Sequence, residues 1–235
     1  MKHMRNITLA VVVGTIPFLA GCGSIPIVGA YIDPATRNYQ ADSELIQQRQ
    51  KIAMEFNNRP DTDAWHEQRS KISLAMGDRV FDKDFGRVYD SLTLAASSLE
   101  LKVSNMERTS GYISASGITL SPTEADTIYR QAVNEWCQQK GYDASVLDKQ
   151  FKTADMANVG AMIDSGTMMQ KYKTMQKTLT FQLVKMGDNQ TKVKLRFADV
   201  YFPGEVEAYY KLVWRAVDKQ IFVDQNIDGG VEKRN

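Results

Sequence analysis

Residues 177–198 read KTLTFQLVKMGDNQTKVKLRFA. Leu179, Phe181 and Leu183 alternate with Thr180 and Gln182; beyond the turn Gly187-Asp188-Asn189-Gln190, Val193, Leu195 and Phe197 alternate with Lys192, Lys194 and Arg196. A period of two marks a half-buried strand, and two such runs joined by a short Gly/Asp/Asn turn make an antiparallel hairpin. One face is apolar and the other, formed by Lys185, Lys192, Lys194 and Arg196, is basic. That is the pattern of a sheet covered on one side only. The next segment supplies the cover. After Pro203-Gly204, Val206, Tyr209 or Tyr210, Val213, Val217 and Ile221 recur at helical spacing, so a long amphipathic helix lies over the apolar face.

Working toward the N-terminus, Val80-Phe81 gives a short strand, and Asp82 or Asp84 caps a helix with Phe85, Val88, Leu92, Ala95 or Ala96, and Leu99 on one stripe. Leu101 to Met106 and Tyr112-Ile113-Ser114-Ala115 follow as two strands around the turn Arg108-Thr109-Ser110-Gly111. Residues 77–235 therefore read as an α+β domain, an antiparallel sheet packed against helices, with a helical insertion at 121–176. The insertion opens with Ser121-Pro122-Thr123-Glu124, a capping box with Pro at the first helical position, and its first helix runs to Lys140 and stops at Gly141. One or two further helices over 145–175 carry Met156, Met162, Met168, Met169 and Met175. Ahead of the domain, an N-terminal helical segment at 42–76 comprises one helix over 43–57, with Leu45, Ile46, Ile52 and Phe56 apolar, and another from Asp63 to about Ala75.

The chain has 235 residues, 43% hydrophobic and 24% charged, with 29 Lys+Arg against 28 Asp+Glu. That balance gives no electrostatic case for nucleic acid, and it is too apolar for a wholly disordered chain and too charged for a multi-span membrane protein. The two cysteines exclude a disulfide framework.

Lys2 and Arg5 precede an uncharged run from Ile7 to Leu19, and small residues follow it. A basic start, an apolar middle and a small-residue end make residues 1–21 a secretory signal peptide. The run is about 13 residues, short of the roughly 20 that span a bilayer. Leu19-Ala20-Gly21-Cys22 resembles the lipobox of bacterial lipoproteins. The resemblance implies cleavage before Cys22, diacylglycerol on its thiol and, with Gly23 rather than Asp next, an outer-membrane destination facing the periplasm. Two or three acyl chains hold a protein on a membrane far more firmly than one. Residues 22–41, with Pro and Gly but no period, then form a lipidated tether reaching on the order of 25 Å. Loss of Lys2 and Arg5 leaves 27 basic residues of the 29 against 28 acidic ones.

At residues 79–89 (RVFDKDFGRVY), 108–112 (RTSGY), 189–193 (NQTKV) and 209–212 (YYKL), the chain resembles envelope lipoproteins with helix-grip domains. The nearest type is the BamC-like lipoproteins of the outer-membrane β-barrel assembly machinery. The resemblance covers roughly residues 77–120 and 177–225 and implies a helix-grip-like fold and an accessory role in an envelope assembly. This chain has one such domain, and inserted helices.

Few residues suggest chemistry. His66 is the only histidine after residue 21, so neither a His-rich metal site nor a His-based triad is available. Asp61, Asp63 and Glu67 cluster beside it, and first-turn acidic residues at a helix start explain Asp61 and Asp63 without a metal. Met162, Met168 and Met169, with their neighbours, read as adaptable packing or a partner groove rather than a copper site. Cys137, beside Trp136, reads as a buried thiol. The basic face of the hairpin is a candidate surface for an acidic partner or for anionic lipid. Trp214 falls outside the stripe of the last helix and is a candidate interaction anchor. No phosphate loop, nucleophile elbow, dinucleotide fingerprint or metalloprotease helix occurs.

These readings converge on a non-enzymatic, outer-membrane-anchored periplasmic lipoprotein, with no catalytic residues, metal or cofactor, bound to the membrane through Cys22 and to another envelope protein. The alternative is a carrier holding a lipid or other apolar ligand between the long helix and the sheet.

Overall fold

The computed structural model describes residues 34–58, 60–150 and 176–231. In chain order these form α1 (Pro34–Asn58), α2 (Asp63–Met76), β1 (Asp78–Phe81), α3 (Phe85–Ser98), β2 (Lys102–Glu107), β3 (Tyr112–Ser116) and α4 (Pro122–Lys140). A 3-10 turn (Ala144–Leu147), β4 (Thr178–Gly187), β5 (Gln190–Ala198) and α5 (Pro203–Val231) complete them. The fold is α+β. The five strands make one antiparallel sheet in the order β1-β5-β4-β3-β2.

The element ends follow local chemistry. Thr62, Asp84 and Ser121 each accept a hydrogen bond from a backbone N–H three residues on, at Trp65, Arg87 and Glu124, satisfying donors that a helix start leaves free. Of the two aspartates before α3, Asp84 is the cap. Gly141 ends α4 at φ 74°, a left-handed conformation that glycine adopts without penalty. Gly111, at φ 69°, turns β2 into β3 so close to β4 that a Cβ there would lie 2.9 Å from the Leu183 carbonyl oxygen.

The β4–β5 register places Leu179 opposite Phe197, Phe181 opposite Leu195 and Leu183 opposite Val193. Together with Ile113 and Ala115 of β3, these side chains, Phe197 only in part, are buried under α3 and α5, which contribute Val88, Leu92, Ala95, Val213 and Val217. The stripe and the alternation thus meet as the sequence implies. A second core lies beside the first: Ile52 and Phe56 of α1, Trp65 of α2, Val133, Trp136 and Cys137 of α4, Leu147, and Phe202 just before α5. Its centre is aromatic, with Phe56 edge-on to Trp136 at 5.3 Å and Trp65 edge-on to Phe202 at 5.4 Å.

Two differences from the expected organisation concern the N-terminal half. Helix α1 starts at Pro34, not near residue 43, so the stretch expected to form a tether through residue 41 gives up its last eight residues to helix. Asp33-Pro34 carries the start signal, Pro at the first helical position; the following turns hold polar residues without an apolar stripe, which is why periodicity does not reveal them. Secondly, α1 and α2 are built into the fold: Arg49 is buried and donates to the carbonyl oxygens of Val146, at 2.9 Å, and of Lys149. The expected signal peptide, Cys22, Met162, Met168 and Met169 lie outside the described residues.

Candidate functional site

Residues that face each other across antiparallel strands point to the same side. The side of the sheet away from α3 and α5 therefore carries Asp78 and Val80 of β1, Lys192, Lys194 and Arg196 of β5, Thr180, Gln182 and Val184 of β4, and Tyr112 and Ser114 of β3. All of these are half-buried or exposed. Asp78 binds the two cations flanking its register partner, Lys192 at 2.9 Å and Arg196 at 2.8 Å. Burial works against ionisation of the Asp78 carboxyl, and the bonds from Lys192 and Arg196 outweigh it, holding the group below the ordinary carboxylate range. Lys194, opposite Asp78 in register, is exposed and has no ion-pair partner among the described residues. One row across this face reads Val80, Lys192, Val184, with both valines exposed.

The expected four-membered basic face needs a correction. Lys185 has the parity of Leu179, Phe181 and Leu183 and pairs with the buried Thr191, so it projects to the helix side of the sheet. It is exposed there and binds Asp188 at 3.2 Å. Lys192, Lys194 and Arg196 do share the open face.

Trp214 is also corrected: it is buried, not an exposed anchor. Helix α5 is covered on two sides, by the sheet and by the α2–β1 junction. The Trp214 indole N–H donates to the Met76 carbonyl at 2.7 Å, and the Arg79 guanidinium lies 4.7 Å over its ring, itself bound to Asp218. A single-stripe reading of α5 misses the second contact.

Two of the three acidic residues near His66 are committed to ion pairs. Asp61 binds Arg69 at 2.7 Å and Glu67 binds Lys71 at 2.6 Å. The Arg69 hydrogen bond holds the Asp61 carboxyl low. Among the described residues no group of three or more His, Cys, Asp or Glu is placed to hold a metal. The Cys137 thiol is buried, and its burial, with Asp143 nearby, pushes its pKa up to about 11. A thiol so held is a poor nucleophile at neutral pH.

A buried polar junction carries no local sequence signal. Glu205, in the first turn of α5 and 0% exposed, lies 3.6 Å from the Lys177 ammonium, itself 2% exposed. Its Oε1 accepts hydrogen bonds from the hydroxyls of Tyr129 (2.9 Å) and Tyr209 (3.2 Å), while Oε2 has no hydrogen-bond partner among the described residues. Burial raises the Glu205 carboxyl above its ordinary range, outweighing the opposite pull of Lys177 and the two tyrosines. The same burial pushes both tyrosine hydroxyls up. Beside the tyrosines opens a cavity of about 320 Å³ lined by Ile118, Leu120, Pro122, Asp126, Tyr129 and Tyr209. In sequence, Glu205 passes for a dipole partner at a helix start and Lys177 for a flanking charge before a strand, so neither signals the other.

No protein-family model, curated protein or solved structure matches this chain.

Proposed function

We propose that the chain is an outer-membrane-anchored periplasmic lipoprotein, held by acylated Cys22, that acts without catalysis as an accessory subunit of an envelope assembly, in the manner of the BamC-like lipoproteins it resembles. The anchor rests on the order of basic residues, apolar run and Leu19-Ala20-Gly21-Cys22. The observation that carries the binding role is the open face of the sheet. No described element covers it, and it presents Lys194, without a counter-ion among the described residues, beside the exposed Val80 and Val184. A surface with an acidic rim and a small apolar centre on another envelope protein complements it, since cations set encounter and register while desolvated apolar contacts supply affinity.

The test is mild crosslinking of the full chain in membranes, followed by purification. A defined complex is expected, and it is expected to weaken severalfold in Lys194→Glu with the fold unchanged by circular dichroism. A monomer alone after crosslinking, or a complex indifferent to Lys194→Glu, overturns the binding role. Intact mass decides the anchor separately: Cys22→Ser loses the acyl mass and leaves the membrane fraction.

The cavity beside Tyr129 and Tyr209 favours a second reading, a carrier of a small apolar ligand. The expected location between α5 and the sheet is filled by Tyr209, Tyr210, Val213 and Val217, so the ligand would sit at the start of α4 instead. Native mass spectrometry of the Cys22→Ser protein after gentle purification tests this, and an empty protein counts against it.

A further inference from the structure

Strand β2 forms one edge of the sheet among the described residues, where it is hydrogen-bonded to β3 alone, and all six of its residues are exposed. Unpaired backbone groups on such an edge are a template for another strand, and proteins usually blunt them with lysine, charge or a bulge. Strand β2 has a lysine at one end, a glutamate at the other and a register shift between Val103 and Asn105.

That shift decides which strand fits. In an unbroken strand Lys102 and Glu107, five residues apart, point to opposite faces. The extra residue changes this: Lys102 faces Ser116, Asn105 faces Ser114 and Glu107 faces Tyr112, all on the open side. The Ser104 hydroxyl donates to the carbonyl and hydroxyl oxygens of Ser114 and joins them. Val103 and Met106 face Ala115 and Ile113 on the helix side, beyond the cover of the helices, and remain 37% and 45% exposed. Along β2 the sides therefore run open, helix, open, open, helix, open, the same from either end. The residue types run cation, apolar, polar, polar, apolar, anion, which reverses into its own complement.

We propose that β2 is a self-pairing edge that joins two copies of this chain as an antiparallel, two-fold dimer with one continuous sheet. The two-fold axis falls between Ser104 and Asn105. Lys102 meets Glu107 of the second copy twice on the open face, and Val103 meets Met106 of the second copy twice on the helix side. A two-fold interface uses the same patch on both subunits, so self-complementarity is the property it requires. The bulge that repels an ordinary strand makes this edge selective for a strand bulged at the same place. Six residues a side is far fewer than the roughly 20–30 of a stable interface, so the pairing is weak and concentration-dependent. The dimer follows from the register of β2 and needs neither the membrane anchor nor an envelope partner.

Energy transfer between two differently labelled preparations of the detergent-solubilised full chain, titrated to about 100 µM, reads the association. The wild type is expected to pair. Lys102→Glu sets two carboxylates opposite each other at both ends, and Glu107→Lys sets two ammonium groups there. Each variant alone is expected to bind itself about tenfold to a hundredfold more weakly. Mixed together, the two variants restore both ion pairs and are expected to associate about as well as the wild type. Circular dichroism checks that both fold. No transfer for the wild type, single variants that self-associate like it, or a mixture no better than either alone would each overturn the proposal.

Discussion

At Asp78 two cations from one strand converge on one carboxylate. Its pKa is lowered in the folded chain, so its ionised form stabilises the fold at pH above the ordinary carboxylate value of 3.8, and this contribution is lost as pH falls through the folded value. Because Lys192 and Arg196 are partly in water, screening limits it to about 1 kcal/mol. Asp78→Asn is therefore expected to cost about 1 kcal/mol at pH 7 in urea unfolding, with the difference from wild type shrinking as pH falls below 3.8. A constant difference across that range would mean that hydrogen bonding, not charge, holds β1 to β5. Two single residues stand where local sequence does not place them. Lys185 continues the alternation of Leu179, Phe181 and Leu183 onto the helix side and pairs with Thr191, so its charge does not belong with those of Lys192, Lys194 and Arg196. Trp214 depends on a contact with Met76 far away in sequence, which no local pattern encodes.

Among the elements, the joint between α4, the start of β4 and α5 is held by buried groups of opposite charge. Removing only the cation leaves a buried carboxylate without its offset, a change that costs about 3–5 kcal/mol. Lys177→Met is expected to lose that much in chemical denaturation. Lys177→Met combined with Glu205→Gln is expected to recover most of it, since a buried pair can be replaced by neutral groups at little cost. The pH dependence has the opposite sign to that of Asp78. A carboxyl raised above its ordinary value of 4.5 favours the fold most below that value, and the benefit is lost as pH rises through the folded value. The stability of Glu205→Gln relative to wild type is thus expected to improve from pH 4 to pH 8. A trend in the other direction would mean that Lys177 dominates the site. Elements with a strong local period were legible: the β4–β5 hairpin, the α3 stripe, the Ser121 cap and the stop at Gly141 all stand where the residues put them. The first turns of α1 were not, because polar helix formers have no phase, and the Lys177–Glu205 contact was not, because it links residues with no shared periodicity.

Across the whole molecule, two apolar cores meet at the start of α5. Phe202 belongs to the aromatic core of α1, α2 and α4, and Tyr209, seven residues on, belongs to the core under the sheet. Glu205 lies between them and accepts a hydrogen bond from a residue of each, Tyr129 and Tyr209. Helix α2 closes the same link from the other end, with Trp65 in the aromatic core and its final residue, Met76, bonded to Trp214 in the sheet core. Structure shared this way couples the two cores in unfolding, so the chain is expected to melt in one transition despite having two centres of packing. Phe56→Ala empties a fully buried site against Trp136 and Phe202 and is expected to cost about 3–5 kcal/mol; Leu92→Ala under the sheet is expected to cost about 2–5 kcal/mol. In a chain of this size each kcal/mol lowers the melting temperature by roughly 2–4 °C. Both variants should therefore lower one common melting temperature by roughly 10 °C, with equal calorimetric and van't Hoff enthalpies. Trp65 and Trp136 report the aromatic core and Trp214 the sheet core, so near-ultraviolet circular dichroism and far-ultraviolet signal should fall together. If Phe56→Ala instead splits off an early transition seen only in the aromatic signal, the helices α1, α2 and α4 form a separable unit, and the junction at Glu205 positions the two cores without coupling their stability.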